Sequence, residues 1–335
     1  MRRAGPRGRH GPAGRGRRAG ARAAGARDPW LAAGEPPLDA PRLTPCPSGW
    51  REVPPASDDD VATCDPYPAE GALECPPGQA HFPGEPGCAP LGAPCPSGEW
   101  ADDLPDDGTV LFVRAGEPAG GDGTRARAFG RIADALALAS SGQTVALSRG
   151  TFTERLVLSR DVTVRGACAE QTILTPVAYV AVRVELATVR VRDLSIRDAA
   201  ENGIQVEEGA TLELDGVAIE RPGETALIVW GPATVVARSI HIRGGPGSYL
   251  GILVDGASGA PVVDVRRAII EAIPDTAIQA WNADADLRLA DVVIRGTTSE
   301  PDFPSQAIAM FGPSTLRADA RPPRVEPVAR DRRLG

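Results

Sequence analysis

The sequence contains no lysine: all 36 of its basic residues are arginine, and only three histidines accompany them. Without lysine the chain can form neither a phosphate-binding P-loop nor a Schiff base. His10, His81 and His241 fall in three separate segments, and His241 is predicted to be a surface residue at an outward strand position. No Cys-x-x-Cys pair occurs, so the sequence argues against a histidine triad and a zinc cluster. We therefore predict no metal site, and we attribute the missing lysine to the coding bias of a high-GC bacterium.

Aromatic residues and long apolar runs are also scarce. Only 4% of the residues are aromatic against 42% apolar, which suits a narrow core of Val, Ile, Leu and Ala. No stretch is long and apolar enough to span a membrane, and no apolar segment of signal-peptide length follows the first arginines. Residues 1–35, rich in Arg, Gly and Ala, are predicted to be a disordered arm, or else the start codon is mis-assigned.

Charge is distributed unevenly between this arm and the rest of the chain. The formal net charge is −8, and without the nine arginines of residues 1–27 it becomes −17. Nucleic-acid phosphates are bound by basic surfaces, and an acidic body repels them. We therefore predict no nucleic-acid partner.

Cysteine and proline are concentrated in residues 36–108. Proline at this density blocks helices and central strands, so the segment needs another kind of tie, and we predict an irregular module held by disulfides. Five cysteines lie in this module, so one of them pairs with the sixth or stays free, and the sequence leaves the pairing open. Disulfides imply an oxidising compartment, hence an extracellular or cell-envelope location. The cysteines are Cys46, Cys64, Cys75, Cys88, Cys95 and Cys168.

One short pattern of a small residue, an aliphatic residue, a variable residue and an apolar residue recurs five times between residues 182 and 311. Two further strand-like runs follow in each repeat, and the repeat length lies in the twenties, which is typical of a solenoid. We predict an all-β right-handed parallel β-helix over residues 109–318, with Ile204 and Val206 pointing inward and Gln205 outward. The five copies start at Gly203, Ala226, Gly251, Ala277 and Ala307.

The residues before these repeats carry a resemblance to a known family. A Gly-rich turn at residues 120–124, an amphipathic helix near residues 128–140 and the Gly150-Thr151-Phe152 turn resemble the opening of the pectin-lyase-like β-helix superfamily. The resemblance implies a solenoid whose first coil is covered by the helix. Residues 319–335 are predicted to be a disordered tail or a truncated end, so that missing sequence, another copy or a partner protein covers the last coil.

The same resemblance suggests catalytic candidates. Polygalacturonase-like members carry acids just before the first strand of successive coils, and Glu201, Glu224 and Asp275 occupy those positions here. Carboxylates on neighbouring coils can stand at the roughly 5–9.5 Å separation that glycoside hydrolysis needs. The family's Asp pairs, histidine and lysine are missing from this chain, however. A pectate-lyase-like mechanism would in addition require Ca²⁺.

A second candidate site comprises the residues that directly follow each first strand. Tryptophan and phenylalanine rings in line with acids suit sugar recognition, because rings stack on apolar sugar faces while carboxylates accept hydroxyl hydrogen bonds. We predict a glycan-binding groove walled by the loops at residues 243–250 and 295–306. The alternative is that the rings cover the core edges. The column comprises Glu185, Glu207, Trp230, Asp255, Trp281 and Phe311.

Taken together, these features predict an exported or cell-envelope protein without cofactor, which acts as a structural or glycan-interaction surface. Its expected partner is a polysaccharide or another envelope protein. The alternative is a polysaccharide lyase or glycoside hydrolase that acts on an acidic polysaccharide along the first β-sheet, with Ca²⁺ as the cofactor of the lyase.

Overall fold

A computed structural model of the protein describes residues 45–57, 60–282, 284–297, 305–312 and 314–319. The predicted arm, residues 1–35, lies outside the described residues, as does the predicted tail apart from Asp319. Among the described residues, no helix has the length and apolar character needed to span a bilayer.

The Cys/Pro-rich segment contains four very short strands in two antiparallel pairs. β1 pairs with β2, and β3 pairs with β4. We call residues 45–57 and 60–104 the strap, because they lie against the side of the solenoid that follows. The four strands are β1 (Arg51–Val53), β2 (Thr63–Asp65), β3 (Gln79–Ala80) and β4 (Ala89–Pro90).

The solenoid opens with short strands and one helix, in which every strand pairing is parallel. The elements in chain order are β5 (Val110–Val113), α1 (Ile132–Leu138), β6 (Thr144–Leu147), β7 (Gly150–Phe152), β8 (Leu156–Leu158), β9 (Thr163–Arg165) and β10 (Thr172–Leu174).

Twelve strands follow and alternate between two sheets. Odd-numbered strands join β8 in a seven-stranded first sheet, and even-numbered strands extend an eleven-stranded second sheet. They are β11 (Val180–Val184), β12 (Thr188–Arg197), β13 (Asn202–Val206), β14 (Thr211–Glu220), β15 (Thr225–Trp230), β16 (Thr234–Arg243), β17 (Leu250–Asp255), β18 (Val262–Glu271), β19 (Thr276–Trp281), β20 (Asp286–Arg295), β21 (Gln306–Met310) and β22 (Thr315–Asp319).

The repeated residues stack in register, as the sequence predicts. In the first sheet Ile204 pairs with Leu227, and the same row continues through Ile252, Ile278 and Ile308. The first four have no exposed surface, and Ile308 packs partly buried against the same core. Parallel coils joined in this way form a right-handed parallel β-helix, the fold that the repeat length predicts.

Each even-numbered strand from β12 to β20 turns a corner at a single residue. We expected separate second and third strands, but the structure has one ten-residue strand with a left-handed residue near its middle. One residue with positive φ reverses the local bend while the ladder resumes on both sides of it. This explains why the spacing across the corner is nearly constant. The corner residues are Asp193 (φ 56), Gly216 (φ 68), Ser239 (φ 51), Arg267 (φ 53) and Asp291 (φ 54).

Helix α1 covers the first coil but is shorter than the predicted helix of residues 128–140. Phe129 instead forms a parallel bridge with Val113, which delays the start of the helix. The Glu154 carboxylate accepts the backbone N–H groups of Ile132 (2.8 Å) and Ala133 (3.1 Å), and so satisfies two donors that no earlier turn can reach. The buried face of α1 packs onto the main core.

The six cysteines form three disulfides, as predicted, and the structure supplies the pairing that the sequence leaves open. Two of them close loops within the strap. The third joins the strap to the first coils and spans 73 residues of sequence. The pairs are Cys46–Cys64, Cys75–Cys88 and Cys95–Cys168.

The strap docks on the outer face of the second sheet. Phe82 and Leu91 are buried in one cluster with Ala218 and Ile269, which lie just beyond the corners of β14 and β18. Polar contacts at the corner column secure the ends of this cluster: the Ala93 N–H donates to Asp193 Oδ1 (2.8 Å), and Arg267 Nη2 is 2.7 Å from a Glu85 oxygen. Apolar burial and the corner contacts therefore hold the strap against the second sheet.

Gly216 provides a test of this docking. A Cβ added there would lie 2.5 Å from Gly92 Cα, whereas a Cβ at Gly71, which also has positive φ (87), would meet nothing within 4 Å. Backbone strain alone should make Gly71→Ala cost about 1 kcal/mol of unfolding free energy. Gly216→Ala should cost about 1–3 kcal/mol more, because the strap must shift. Urea unfolding of both variants measures the difference, and equal costs would contradict the docked strap.

Candidate functional site

The predicted ring-and-acid column lies along the edge where the strands of the first sheet end. Trp230 pairs in register with Asp255, and Asp255 pairs with Trp281. Phe311 follows in the next coil, where its N–H donates to the Ala280 carbonyl (2.8 Å). Val206 pairs with Val229, so Glu207 lies one coil before Trp230 in the same column. The structure therefore places these predicted residues in one line parallel to the solenoid axis.

The C-terminal half of this column is aromatic and open to solvent. Trp281 is 43% exposed and Phe311 is 45% exposed. Their ring centroids are 4.9 Å apart with an interplanar angle of 35°. Trp230 is different, since its side chain is half-buried and its buried indole N–H has no hydrogen-bond partner among the described residues. The accessible apolar surface is thus the Trp281–Phe311 pair, while Trp230 partly covers the core edge.

The N-terminal half of the column is ionic and already paired. Arg183 Nε lies 3.0 Å from Glu185 Oε1 and 2.7 Å from Glu207 Oε1. Gln205 also donates to Glu207 (3.0 Å). These two acids are engaged within the protein, whereas the Asp255 carboxylate accepts only the nearby Ala257 N–H (2.9 Å) among described residues. Asp255 is therefore the acid best placed to serve a ligand on the rings.

One expected wall of this groove is not where the sequence analysis put it. The loop at residues 243–250 leads into the start of β17, whereas Asp255 ends that strand. Five residues of extended chain separate the two edges by about 16 Å. The prediction of that wall is wrong because the loop enters its first strand instead of leaving it. Most of the second expected wall, residues 298–304 of the loop at 295–306, lies outside the described residues.

The three catalytic candidates lie along the opposite edge of the same sheet. The Glu224 N–H donates to the Glu201 carbonyl (2.7 Å), and the Gln306 N–H donates to the Asp275 carbonyl (3.1 Å), so the three acids belong to one column. Tyr249 stands between Glu224 and Asp275 in that column. Six residues of strand place this edge about 20 Å from the rings, too far for joint action on one glycosidic bond.

These acids also lack the partners that acid–base chemistry uses. Asp275 contacts the neighbouring Thr276 hydroxyl (3.0 Å), and no side chain in the described ranges hydrogen-bonds to the carboxylates of Glu201 or Glu224. Within the same ranges no three His, Cys, Asp or Glu side chains converge as a metal site would require. The geometry brings the three acids into line, and among the described residues no basic side chain pairs with any of them.

A polar cluster on the outer face of the second sheet was not predicted as a site. His241 Nε2 is 2.8 Å from Glu271 Oε1, and Arg295 Nε donates to Glu271 Oε2 (2.7 Å). Arg243 approaches Glu271 at 3.7 Å. The sequence analysis placed His241 at an outward position without a role. The repeat spacing aligns Arg197, Glu220, Arg243, Glu271 and Arg295 in one alternating column, and that pattern could have revealed the cluster.

Glu271 is the central charge of this cluster. Burial alone would raise the pKa of its carboxyl, but the hydrogen bond and charge of His241, followed by those of Arg295, outweigh burial and lower the pKa to about 2. The carboxylate therefore stays ionised, with one oxygen hydrogen-bonded to His241 and the other to Arg295.

The topology defines the chain as a right-handed parallel β-helix solenoid, and comparisons with known proteins add little to that. No protein-family model and no curated protein sequence matches the chain. The solved pectin methylesterase PemA from Erwinia chrysanthemi is similar over 57% of this chain and 66% of its own, with 13% identity and a TM-score of 0.39. A pectin methylesterase from Aspergillus niger covers 65% and 88%, with 14% identity and a TM-score of 0.36. The chain thus spans just under two thirds of the length of PemA.

The lowered pKa of Glu271 predicts a pH-dependent stability. A carboxyl with a folded-state pKa near 2 and an ordinary value of 4.5 stabilises the fold above pH 4.5, and this contribution is lost as the pH falls from 4.5 towards 2. We expect Glu271→Gln to lower the unfolding free energy at pH 7 by up to about 3 kcal/mol, and the deficit to shrink across that window.

Urea unfolding at several pH values measures this deficit. The matched control is Glu213→Gln, which removes an exposed ion pair with Arg190 and should cost less than about 1 kcal/mol. A deficit for Glu271→Gln that stays constant from pH 7 to pH 2.5 would contradict the assignment.

Proposed function

We propose that the protein is a non-catalytic exported or cell-envelope β-helix protein whose first sheet binds a polysaccharide along the ring column. One observation carries this proposal: Trp281 and Phe311, at the ends of two neighbouring strands of the first sheet, have ring centroids 4.9 Å apart and are 43% and 45% exposed. Large rings held open to water on rigid strands provide a platform for an apolar ligand surface. Three disulfides support a location in an oxidising compartment.

The direction of the column favours a polymer over a single sugar. Equivalent residues recur about every 4.8 Å along the solenoid axis, so Trp230, Asp255, Trp281 and Phe311 offer an extended linear surface. A chain of sugars lying along this edge would place its apolar faces on the rings and its hydroxyls near the Asp255 carboxylate. A second envelope protein remains the alternative partner for the same surface.

The charges around the rings favour a neutral polysaccharide. Asp255 lies between the two tryptophans in register, and no arginine in the described ranges forms an ion pair with it. Arg183, the basic residue nearest the start of the column, is already engaged by Glu185 and Glu207. A polyanionic chain would meet an acid without a compensating cation here, and the chain as a whole carries a net charge of −8.

The alternative function is a lyase or hydrolase acting on an acidic polysaccharide, with Ca²⁺ as the cofactor of the lyase. The observation in its favour is the column of Glu201, Glu224 and Asp275 along the other edge of the first sheet. We favour binding, because these carboxylates stand about 20 Å from the rings and pair with no arginine or histidine in the part of the chain that the structure describes.

Ring truncation tests the binding proposal. We expect Trp281→Ala and Phe311→Ala each to weaken binding to a neutral polysaccharide such as xyloglucan or β-1,3-glucan by about tenfold, which corresponds to about 1.4 kcal/mol. The matched control is Tyr249→Ala, which removes a ring of 55% exposure from the opposite edge and should leave binding unchanged. Affinity electrophoresis across a series of polysaccharides measures the effect, and undiminished retention of both ring variants would overturn the proposal.

An activity assay tests the alternative function, a lyase or hydrolase. The wild-type protein is incubated with polygalacturonate and alginate, with and without Ca²⁺, and the products are assayed for reducing ends and unsaturated uronates. Product formation that is lost in Glu224→Gln and retained in Trp281→Ala would replace the binding proposal with the enzymatic one.

A further inference from the structure

A cavity of about 380 Å³ lies between the strap and the outer face of the second sheet. Its volume falls within the usual range of ligand pockets, about 300–1,000 Å³. The strap contributes the loop closed by the Cys75–Cys88 disulfide, and the solenoid contributes the ends of β16, β18 and β20. Leu73 and Ile269 supply apolar wall. The cavity lies on the second sheet, so it is separate from the ring column on the first.

Several polar groups in this cavity are already occupied, whereas the side chains of Glu74 and Gln79, which also line it, have no hydrogen-bond partner among the described residues. His81 Nδ1 accepts the Leu73 N–H (2.9 Å) and its Nε2 bonds to the Glu85 carbonyl (2.8 Å), so this buried ring is a wall. Both oxygens of Glu271 are taken by His241 and Arg295. Neither acceptor is therefore free to serve a bound molecule.

The groups that remain include one strong donor and one ring nitrogen. Arg243 is 53% exposed, and its shortest ion pair among described residues is the 3.7 Å approach to Glu271. By contrast, Arg190, which is equally exposed at 54%, is held by Glu213 at 2.7 Å. His241 Nε2 donates to the Glu271 carboxylate, which leaves Nδ1 to accept a hydrogen bond from a ligand hydroxyl. The strongest unused donor is therefore the Arg243 guanidinium.

The Tyr67 ring stands behind the wall of this cavity. Its centroid is 4.9 Å from that of His81, which lines the cavity, and the Arg295 guanidinium is 6.0 Å from the Tyr67 ring centroid. Burial raises the pKa of Tyr67. Because Tyr67 is 91% buried and its hydroxyl is covered, it supports the wall and does not bind the ligand.

We infer that this cavity is a binding site for a small hydroxy acid, whose carboxylate is held by the Arg243 guanidinium and whose hydroxyl donates to His241 Nδ1, with Glu271 and Arg295 fixing the orientation of the imidazole. A planar carboxylate matches the fork of a guanidinium and accepts several donors at once. A neutral molecule would leave Arg243 with only the 3.7 Å approach to Glu271 as its counter-charge. A sugar acid carries both groups that the site takes.

Isothermal titration of the full-length, disulfide-intact protein with sodium glucuronate tests this site, and glucose is the matched ligand because it lacks only the carboxylate. We expect glucuronate to bind and glucose not to bind. Arg243→Gln should weaken glucuronate binding at least tenfold, whereas Arg190→Gln, an equally exposed arginine of the same sheet, should leave it unchanged. No heat from glucuronate, or equal weakening in both variants, would overturn the inference.

A second measurement remains informative if Arg243→Gln unfolds. The chain has only three histidines, so the imidazole resonances can be assigned by single substitution and followed by NMR in the wild-type protein. Glucuronate should shift the His241 resonances, and glucose at the same concentration should leave them unchanged. Binding that leaves His241 unperturbed would place the ligand elsewhere and contradict the site.

The tests of the two sites are independent. Trp281→Ala should retain glucuronate binding, because the rings lie on the first sheet. Acetate should compete with glucuronate if the carboxylate is the recognised group, and failure to compete at tenfold excess would contradict that assignment.

Discussion

The parallel hydrogen-bond ladder between successive coils is the constraint on which the rest of the structure depends. Each residue of a coil is held beside its equivalent one coil further on, as Ile204 is beside Leu227 and Leu227 is beside Ile252. Equivalent positions of successive repeats therefore form a line along the solenoid, with about 4.8 Å between one residue and the next. Inward lines of aliphatic residues make the core. Outward lines make every surface feature, including the ring column and the alternating Arg and Glu column.

The corners show how this ladder accommodates a sharp turn. One left-handed residue per coil bends each long strand, and at Asp193 the bend brings a carboxylate fully into the protein. Burial raises the pKa of Asp193, while the Ala93 N–H and Arg165 act to lower it and provide the partners that a buried carboxylate needs. The strap thus docks at a place where the solenoid requires outside hydrogen bonds. Corner and strap depend on each other.

The parts of this architecture that repeat could be predicted from the sequence, and the parts that do not repeat could not. The inward row of aliphatic residues and the outward column of rings and acids follow from alternation and spacing within the chain. That the cysteines form disulfides follows from their concentration in one proline-rich segment. The disulfide pairing and the docking of the strap depend on contacts between residues far apart in sequence, and the strap has no periodicity that records them. His241 was predicted to face outward, and it does. The sequence did not predict that the strap lies over it. The length of α1 was overestimated because Phe129 suits both a helical face and a bridge to Val113.

The lateral strap also changes how such a molecule can melt. A plain solenoid behaves as a one-dimensional array in which each unit touches only its neighbours, so terminal units fray independently. Here one segment is bonded to Cys168 near one end, to Asp193 and Arg267 along the side, and lies at Tyr67 beside Arg295 near the other end. Opening any single turn must strain a connection to a distant one. The strap therefore couples coils that are not joined by backbone hydrogen bonds. Unfolding should then be cooperative instead of proceeding coil by coil.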